Sequence, residues 1–157
     1  MKIQLWSIGK AHDDYLKPGI DDFTRRIGKY YPAQWNIINP VKNAASLSEA
    51  ELKKKEAGVV LAAIGKDDFL VALDNKGRQM SSTSLAGFIQ TRADEGSRQL
   101  IFLIGGAFGM DKSILERANL LWSLSDLTFP HQLVRLILAE QLYRSCTINR
   151  NEKYHHA

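Results

Sequence analysis

The chain has 157 residues, 45% of them hydrophobic and 24% charged, which fits one soluble domain, residues 1–157, around a single core. No apolar run approaches the roughly 20 residues that cross a bilayer, and the start Met1-Lys2-Ile3-Gln4-Leu5-Trp6 has no secretory h-region or cleavage site. The net charge of +4 permits an anionic partner without requiring one, and the lone Cys146 excludes an internal disulfide and suits a reducing cytoplasm.

In chain order, Lys2–Ile8 alternates apolar and polar residues up to Gly9 and reads as a strand. Tyr15, Leu16, Ile20, Phe23 and Ile27 follow at near-helical spacing, but Pro18-Gly19 interrupts them, so the expected helix is Ile20–Ile27. Gln34–Ile38 is a short strand and Asn39–Leu47 a polar loop. Ser48 and Glu51 form a capping box that opens a helix to Ala63, with Leu52, Val59, Val60 and Ala63 expected on its buried side. Lys53-Lys54-Lys55 reads as a solvated face of that helix.

Phe69–Leu73 is uniformly apolar, as a strand covered on both faces must be, and Asp74-Asn75-Lys76-Gly77 reads as a turn after it. A helix carrying Leu85, Phe88 and Ile89 then leads to a fourth strand, Leu100–Ile104. A second apolar run, Leu120–Leu124, ends in Ser125 and Asp126. Pro130–Ser145 reads as the most amphipathic helix of the chain, with Leu133, Leu136, Ile137 and Leu142 on one broad side facing the core or a second copy. Strands alternating with helices predict an α/β domain with a mostly parallel sheet flanked by helices.

Ligands in such sheets collect beyond the carboxyl ends of strands. Three ends qualify: Leu73-Asp74, Ile104-Gly105-Gly106 and Leu124-Ser125-Asp126. The loop Gly105-Gly106-Ala107-Phe108-Gly109 is equally compatible with a ligand and with a bare tight turn. A dinucleotide-dependent oxidoreductase is one reading, with Asp126 about 20 residues after the loop, although the fingerprint begins GG rather than GxG and falls late in the chain. A Walker loop is excluded because no Lys-Ser/Thr follows Gly109 at the required spacing. His12, His131, His155 and His156 show no metal-ligand spacing, and no GxSxG is present, so neither a metal nor a serine hydrolase is expected. What remains is a neutral pocket suited to an adenosine-like ligand. A non-catalytic RNA-binding module is the other alternative.

Four stretches carry a family resemblance: VALDNKGRQMSS (Val71–Ser82), FLIGGAFGM (Phe102–Met110), WSLSDLTFPHQLVRLILAEQLYR (Trp122–Arg144) and NEKYHH (Asn151–His156). The chain resembles the ribosomal RNA large-subunit pseudouridine N3-methyltransferases, a branch of the SPOUT, or trefoil-knot, methyltransferases. The resemblance implies methyl transfer from S-adenosylmethionine to N3 of a pseudouridine in large-subunit rRNA, and a short chain without a separate RNA-binding domain points to the assembled ribosome as substrate. It also implies a C-terminal trefoil knot and a homodimer whose sites are completed across the interface. Bottom-up topology rules would have excluded the knot.

Carried over onto this sequence, the resemblance puts Leu73, Gly105 and Gly106 against the cofactor. Leu124, Ser125, Asp126, Leu127, Thr128, Phe129 and Pro130 become a threaded loop around adenine and ribose. Asp126 stands where relatives carry small or neutral residues, and an exposed aspartate is the plainer reading of it. On the last helix, Arg144 and Glu140 join Tyr154 and His155 of the tail as catalytic candidates. Tyr154 is placed to stack on the base and His155 to handle the N3 proton. His131, Arg135 and His156 are the expected RNA contacts, with His156 in place of a permanently basic residue. Arg135 and Arg144 can equally pair with a carboxylate, Glu140 being four residues before Arg144.

Overall fold

Every strand of the sheet can be read off its own burial. In the computed structural model, which describes residues 1–39 and 41–156, strand β1 (Lys2–Ile8) sends Ile3 and Leu5 to one face of the sheet and Trp6 and Ile8 to the other. Helix α1 spans Lys17–Ile27 and strand β2 Ala33–Ile38. Helix α1 starts earlier than Pro18-Gly19 suggested. Proline occupies its first turn, where the missing N–H would have had no intrahelical partner. The loop expected at residues 39–47 contains a short 3-10 turn at Ala44–Ser46, and Pro40 in it lies outside the described residues.

Helix α2 (Glu49–Ala63) begins at the expected cap. Ser48 Oγ accepts the Glu51 N–H and donates to the Glu51 carboxylate at 2.9 Å. Its buried side differs in part from expectation: Val60 is buried as expected, but Glu56 and Ala57 join it, whereas Val59 and Ala63 face solvent.

Strand β3 runs from Phe69 to Arg78, straight through the tetrapeptide expected to be a turn. Leu73 and Arg78 both pair with Trp122, so Asp74–Gly77 forms a bulge instead. Gly77 is required there: a Cβ on it would stand 2.6 Å from the Leu121 and Trp122 backbone. Helix α3 (Ser82–Asp94), strand β4 (Gln99–Ile104), helix α4 (Lys112–Arg117), strand β5 (Leu120–Trp122) and helix α5 (His131–Asn149) complete the chain.

The five strands are parallel in the order β2-β1-β4-β3-β5. On one face Ile3, Leu5, Leu100 and Phe102 meet Ile27 of α1, Leu85 and Ile89 of α3, and Leu138, Ala139 and Leu142 of α5. On the other, Trp6, Leu70, Ile101 and Leu103 meet Ala57 and Val60 of α2 and Ile114 of α4. Helix α5 lies between α1 and α3 and carries apolar residues on more than one side. Leu138, Ala139, Leu142 and Cys146 are fully buried, while Leu133, Leu136 and Ile137 remain half-exposed. It is therefore not the single-faced amphipathic helix its sequence suggested.

Candidate functional site

A cavity of about 710 Å³ opens beyond the carboxyl ends of β3, β4 and β5, a volume ordinary for a small-molecule site. Leu73, Gly105, Gly106, Leu124, Ser125, Leu127, Thr128 and Phe129 line it, as does His131. Asp126 and Pro130 of the same loop do not. Asp126 is exposed and accepts a 2.7 Å hydrogen bond from Gln79 Nε2.

The floor is backbone. Gly106 and Gly109 pair in a tight turn, Gly109 N–H to Gly106 O at 3.1 Å, with Gly109 at φ +84°. A Cβ on Gly105 would stand 2.7 Å from Met110 Cγ, and one on Gly106 would stand 2.9 Å from both carboxylate oxygens of Glu56. The loop from Ser123 is held by its own hydroxyls: Ser123 Oγ donates to Ser125 O, and Ser125 Oγ accepts the Leu127 N–H. Phe108 and Leu127, both on the cavity, are 50% and 71% exposed. The indole N–H of Trp122, another wall residue, is buried and meets no acceptor among the described residues. A bare glycine floor, walls of mixed apolar and polar residues and an unused donor fit a nucleoside-like ligand.

Sequence reasoning missed several wall residues. Asn75 and Lys76 reach the cavity through the bulge beside Asp74, whose strand end the sequence marks, and Lys53 reaches it from α2, whereas Lys54 and Lys55 are exposed. A lysine run carries no mark that singles out its first member.

His131 sits at the cavity's edge with Nε2 3.1 Å from Ile8 O; a carbonyl only accepts, so the ring proton is on Nε2. Burial, then the Arg135 charge, hold its pKa below the usual histidine value. Arg135 was expected at RNA phosphates, but it is fully buried. Its Nε donates to Ser7 Oγ at 3.0 Å, its Nη1 to His12 Nδ1 at 3.1 Å, and its Nη2 meets no acceptor among the described residues. The guanidinium ties α5 to the end of β1 and presents nothing to solvent.

The remaining candidates come together at the other end of α5. Asn151 adopts φ +54°, which asparagine tolerates, and Glu152 N–H bonds back to Thr147 O. That reversal lays the tail along the helix. Arg144 Nε and Nη2 both donate to Glu140 Oε1, at 2.9 and 2.5 Å, and the Tyr154 hydroxyl donates to the same oxygen at 3.1 Å. Gln141 Nε2 donates to Glu140 Oε2 at 2.8 Å. Glu140 is thus fully engaged as Arg144's partner. Tyr154 packs edge-on to Tyr143, centroids 4.7 Å apart, and burial, then its bond to Glu140, raise its pKa.

Arg144 Nη1 lies 3.1 Å from His155 Nδ1. A guanidinium only donates, so Nδ1 accepts and the ring's hydrogen is on Nε2. So held, His155 offers an N–H rather than a free lone pair. His156 is exposed beside it.

These two groups do not meet within one chain. Glu140 and Arg144 come nine and thirteen residues after His131 on α5, about 14 and 20 Å along the axis at roughly 1.5 Å per residue, and neither they nor Tyr154 and His155 line the cavity. Among the described residues no group of three His, Cys, Asp or Glu can hold a metal ion, and no helix is long and apolar enough to cross a membrane. Cys146 is buried, and burial pushes its thiol up to about 12.

The sequence model of the family described as "Predicted SPOUT methyltransferase" matches residues 1–155. The chain is 44% identical to the Ribosomal RNA large subunit methyltransferase H of Cytophaga hutchinsonii, over 99% of this chain and all of the relative. It is 41% identical to the protein of the same name from Exiguobacterium sibiricum, over 99% of each. Among solved structures, a probable methyltransferase from Bordetella pertussis Tohama I superposes with a TM-score of 0.57 at 10% identity, covering 92% of this chain and 93% of that one. A probable methylase family protein from Haemophilus influenzae Rd KW20 superposes with a TM-score of 0.55 at 12% identity, covering 95% and 66%.

Proposed function

The chain belongs to the SPOUT methyltransferase family, and from that premise we propose that it methylates N3 of a pseudouridine in large-subunit ribosomal RNA, with S-adenosylmethionine as donor, on the assembled ribosome in the cytoplasm. The observation that carries the reading is the backbone-floored cavity of about 710 Å³ at the ends of β3, β4 and β5. Relatives spanning the whole chain and named for large-subunit rRNA methylation support it.

Bound in the cavity, the donor would supply an electrophilic sulfonium methyl to N3, with the thioether of S-adenosylhomocysteine as leaving group and the N3 proton passing to water. Leu73, Gly105, Gly106 and the 124–129 segment position the adenosine part. Holding donor and base in line supplies the largest share of the rate, effective molarity alone being worth roughly 7–11 kcal/mol.

Tyr154 offers an aromatic face for the base. His155, held by Arg144, points a donor N–H rather than a base, so its part is to stabilise charge that builds on the ring oxygens as N3 loses its proton. His156, exposed at the end of the tail, offers a ring nitrogen to the RNA backbone.

The same proposal includes a homodimer with a threaded 124–130 loop. Two observations support pairing: the half-exposed Leu133, Leu136 and Ile137 on α5, and the distance between cavity and tail along that helix. A partner's tail brought to the cavity joins the two halves.

Purified protein incubated with radiolabelled S-adenosylmethionine and ribosomal subunits tests all of this. Label is expected in large-subunit rRNA at one pseudouridine. Ribosome binding without label would instead favour the RNA-binding module, and NAD binding in calorimetry the oxidoreductase.

A further inference from the structure

Glu56 lies in the middle of α2 with 8% of its surface exposed. Both carboxylate oxygens stand 2.9 Å from where a Cβ on Gly106 would be. Burial raises its pKa, and among the described residues no hydrogen-bond donor or cation meets its carboxylate. The side chain is largely buried, burial alone acts on its pKa, and its place beside a ligand cavity points to a charge that the ligand brings. Lys53, three residues earlier on the same helix, lines the cavity and is not paired with Glu56, although that spacing allows it. Gly106 also lines the cavity and has no side chain to screen the carboxylate from it. A carboxylate and an ammonium borne three residues apart on one helix, with no ion pair between them, match a single chemical group: the zwitterion of an α-amino acid.

We infer that Glu56 and Lys53 receive the α-amino-acid end of the methyl donor, Glu56 meeting its ammonium and Lys53 its carboxylate. The inference rests on the S-adenosylmethionine reading above. It explains why a buried charge is kept at this point of α2 and why residue 106 is a glycine: a side chain there would collide with the carboxylate. The adenosine part then lies against the 124–129 segment and the amino-acid part against α2, so the ligand spans the cavity.

Calorimetric titration of the whole chain with three ligands tests this. S-adenosylmethionine and S-adenosylhomocysteine carry the amino-acid end; 5′-methylthioadenosine has the same nucleoside without it. In Glu56→Gln, which keeps the side chain's shape, Kd for the first two is expected to rise tenfold or more, with 5′-methylthioadenosine within twofold of wild type. Lys53→Met is expected to give the same split. The unliganded Glu56→Gln protein should melt at or above the wild-type temperature, because a buried charge has been removed. Equal weakening of all three ligands, or no change in any, overturns the inference. A wild-type protein that binds none of the three removes the donor reading itself, an outcome visible before any variant is made.

Discussion

Arg144 stands over the ring of Tyr154, its guanidinium carbon 4.7 Å from the ring centroid, while Glu140 Oε1 accepts from both residues. The tail is thereby locked to the helix by a cation–π contact and a shared carboxylate. Exposed contacts of this kind are worth about 0.5–1 kcal/mol and more when desolvated, enough together to order a segment that composition would leave loose.

Tyr154→Ala removes the stacking face, and His155→Ala removes the N–H that Arg144 aims. Both variants are expected to bind S-adenosylmethionine with wild-type affinity and to methylate ribosomes at least 100-fold more slowly. Wild-type turnover in both would take the tail out of the mechanism.

Gly106→Val drives a branched side chain into the Glu56 carboxylate. Overpacking of this sort costs about 1–3 kcal/mol, and the displaced turn should weaken donor binding beyond detection by calorimetry. The collision predicts a specific rescue: Gly106→Ala destabilises, and Glu56→Ala added to it restores the unfolding midpoint. A double variant no more stable than Gly106→Ala would show that something other than Glu56 fixes glycine there.

His12 and His131 both have pKa values below the ordinary 6.5, through burial first and the Arg135 charge second. Between 6.5 and those lowered values the unfolded chain binds protons that the folded chain refuses. Stability is therefore full above about pH 7, falls as pH drops through that window, and levels off below it. Glu56, with its raised pKa, acts with the opposite sign above 4.5, so the measurement belongs in a Glu56→Gln background. Urea midpoints from pH 7.5 to 5 should fall there, and His12→Asn with His131→Gln should flatten the profile. An unchanged slope would remove both histidines as its source.

Arg135 anchors α5 to Ser7 and His12 from a fully buried position. Arg135→Ala leaves two polar partners unsatisfied and a cavity behind, a loss of about 3–5 kcal/mol by urea unfolding. A loss under about 1 kcal/mol would mean that the chain accommodates the vacancy by closing up.

Much of the architecture was legible because local patterns and tertiary burial agree in it. The β1 alternation, the Ser48–Glu51 cap and the apolar β4 run each point one way. Asp74–Gly77 misled because turn-forming residues serve a bulge equally well, and only the neighbouring Trp122 backbone reveals which. Pro18 misled because a proline in the first turn looks like a proline that breaks a helix. In the 124–129 segment the strand end Leu124-Ser125-Asp126 was legible from the apolar run before it, while Leu127–Phe129 and the tail motif came from the resemblance. Glu56 gave no signal, since one glutamate among lysines on a helix looks solvated until the fold buries it.

The length of α5 between cavity and tail has a consequence for genetics. On the proposed pairing, a chain carrying Gly106→Val keeps a usable tail, and a chain carrying Tyr154→Ala keeps a usable cavity. Co-expressed, two alleles that are each silent complement one another: random association leaves half of the pairs mixed, each with one sound site of two, for about a quarter of normal activity.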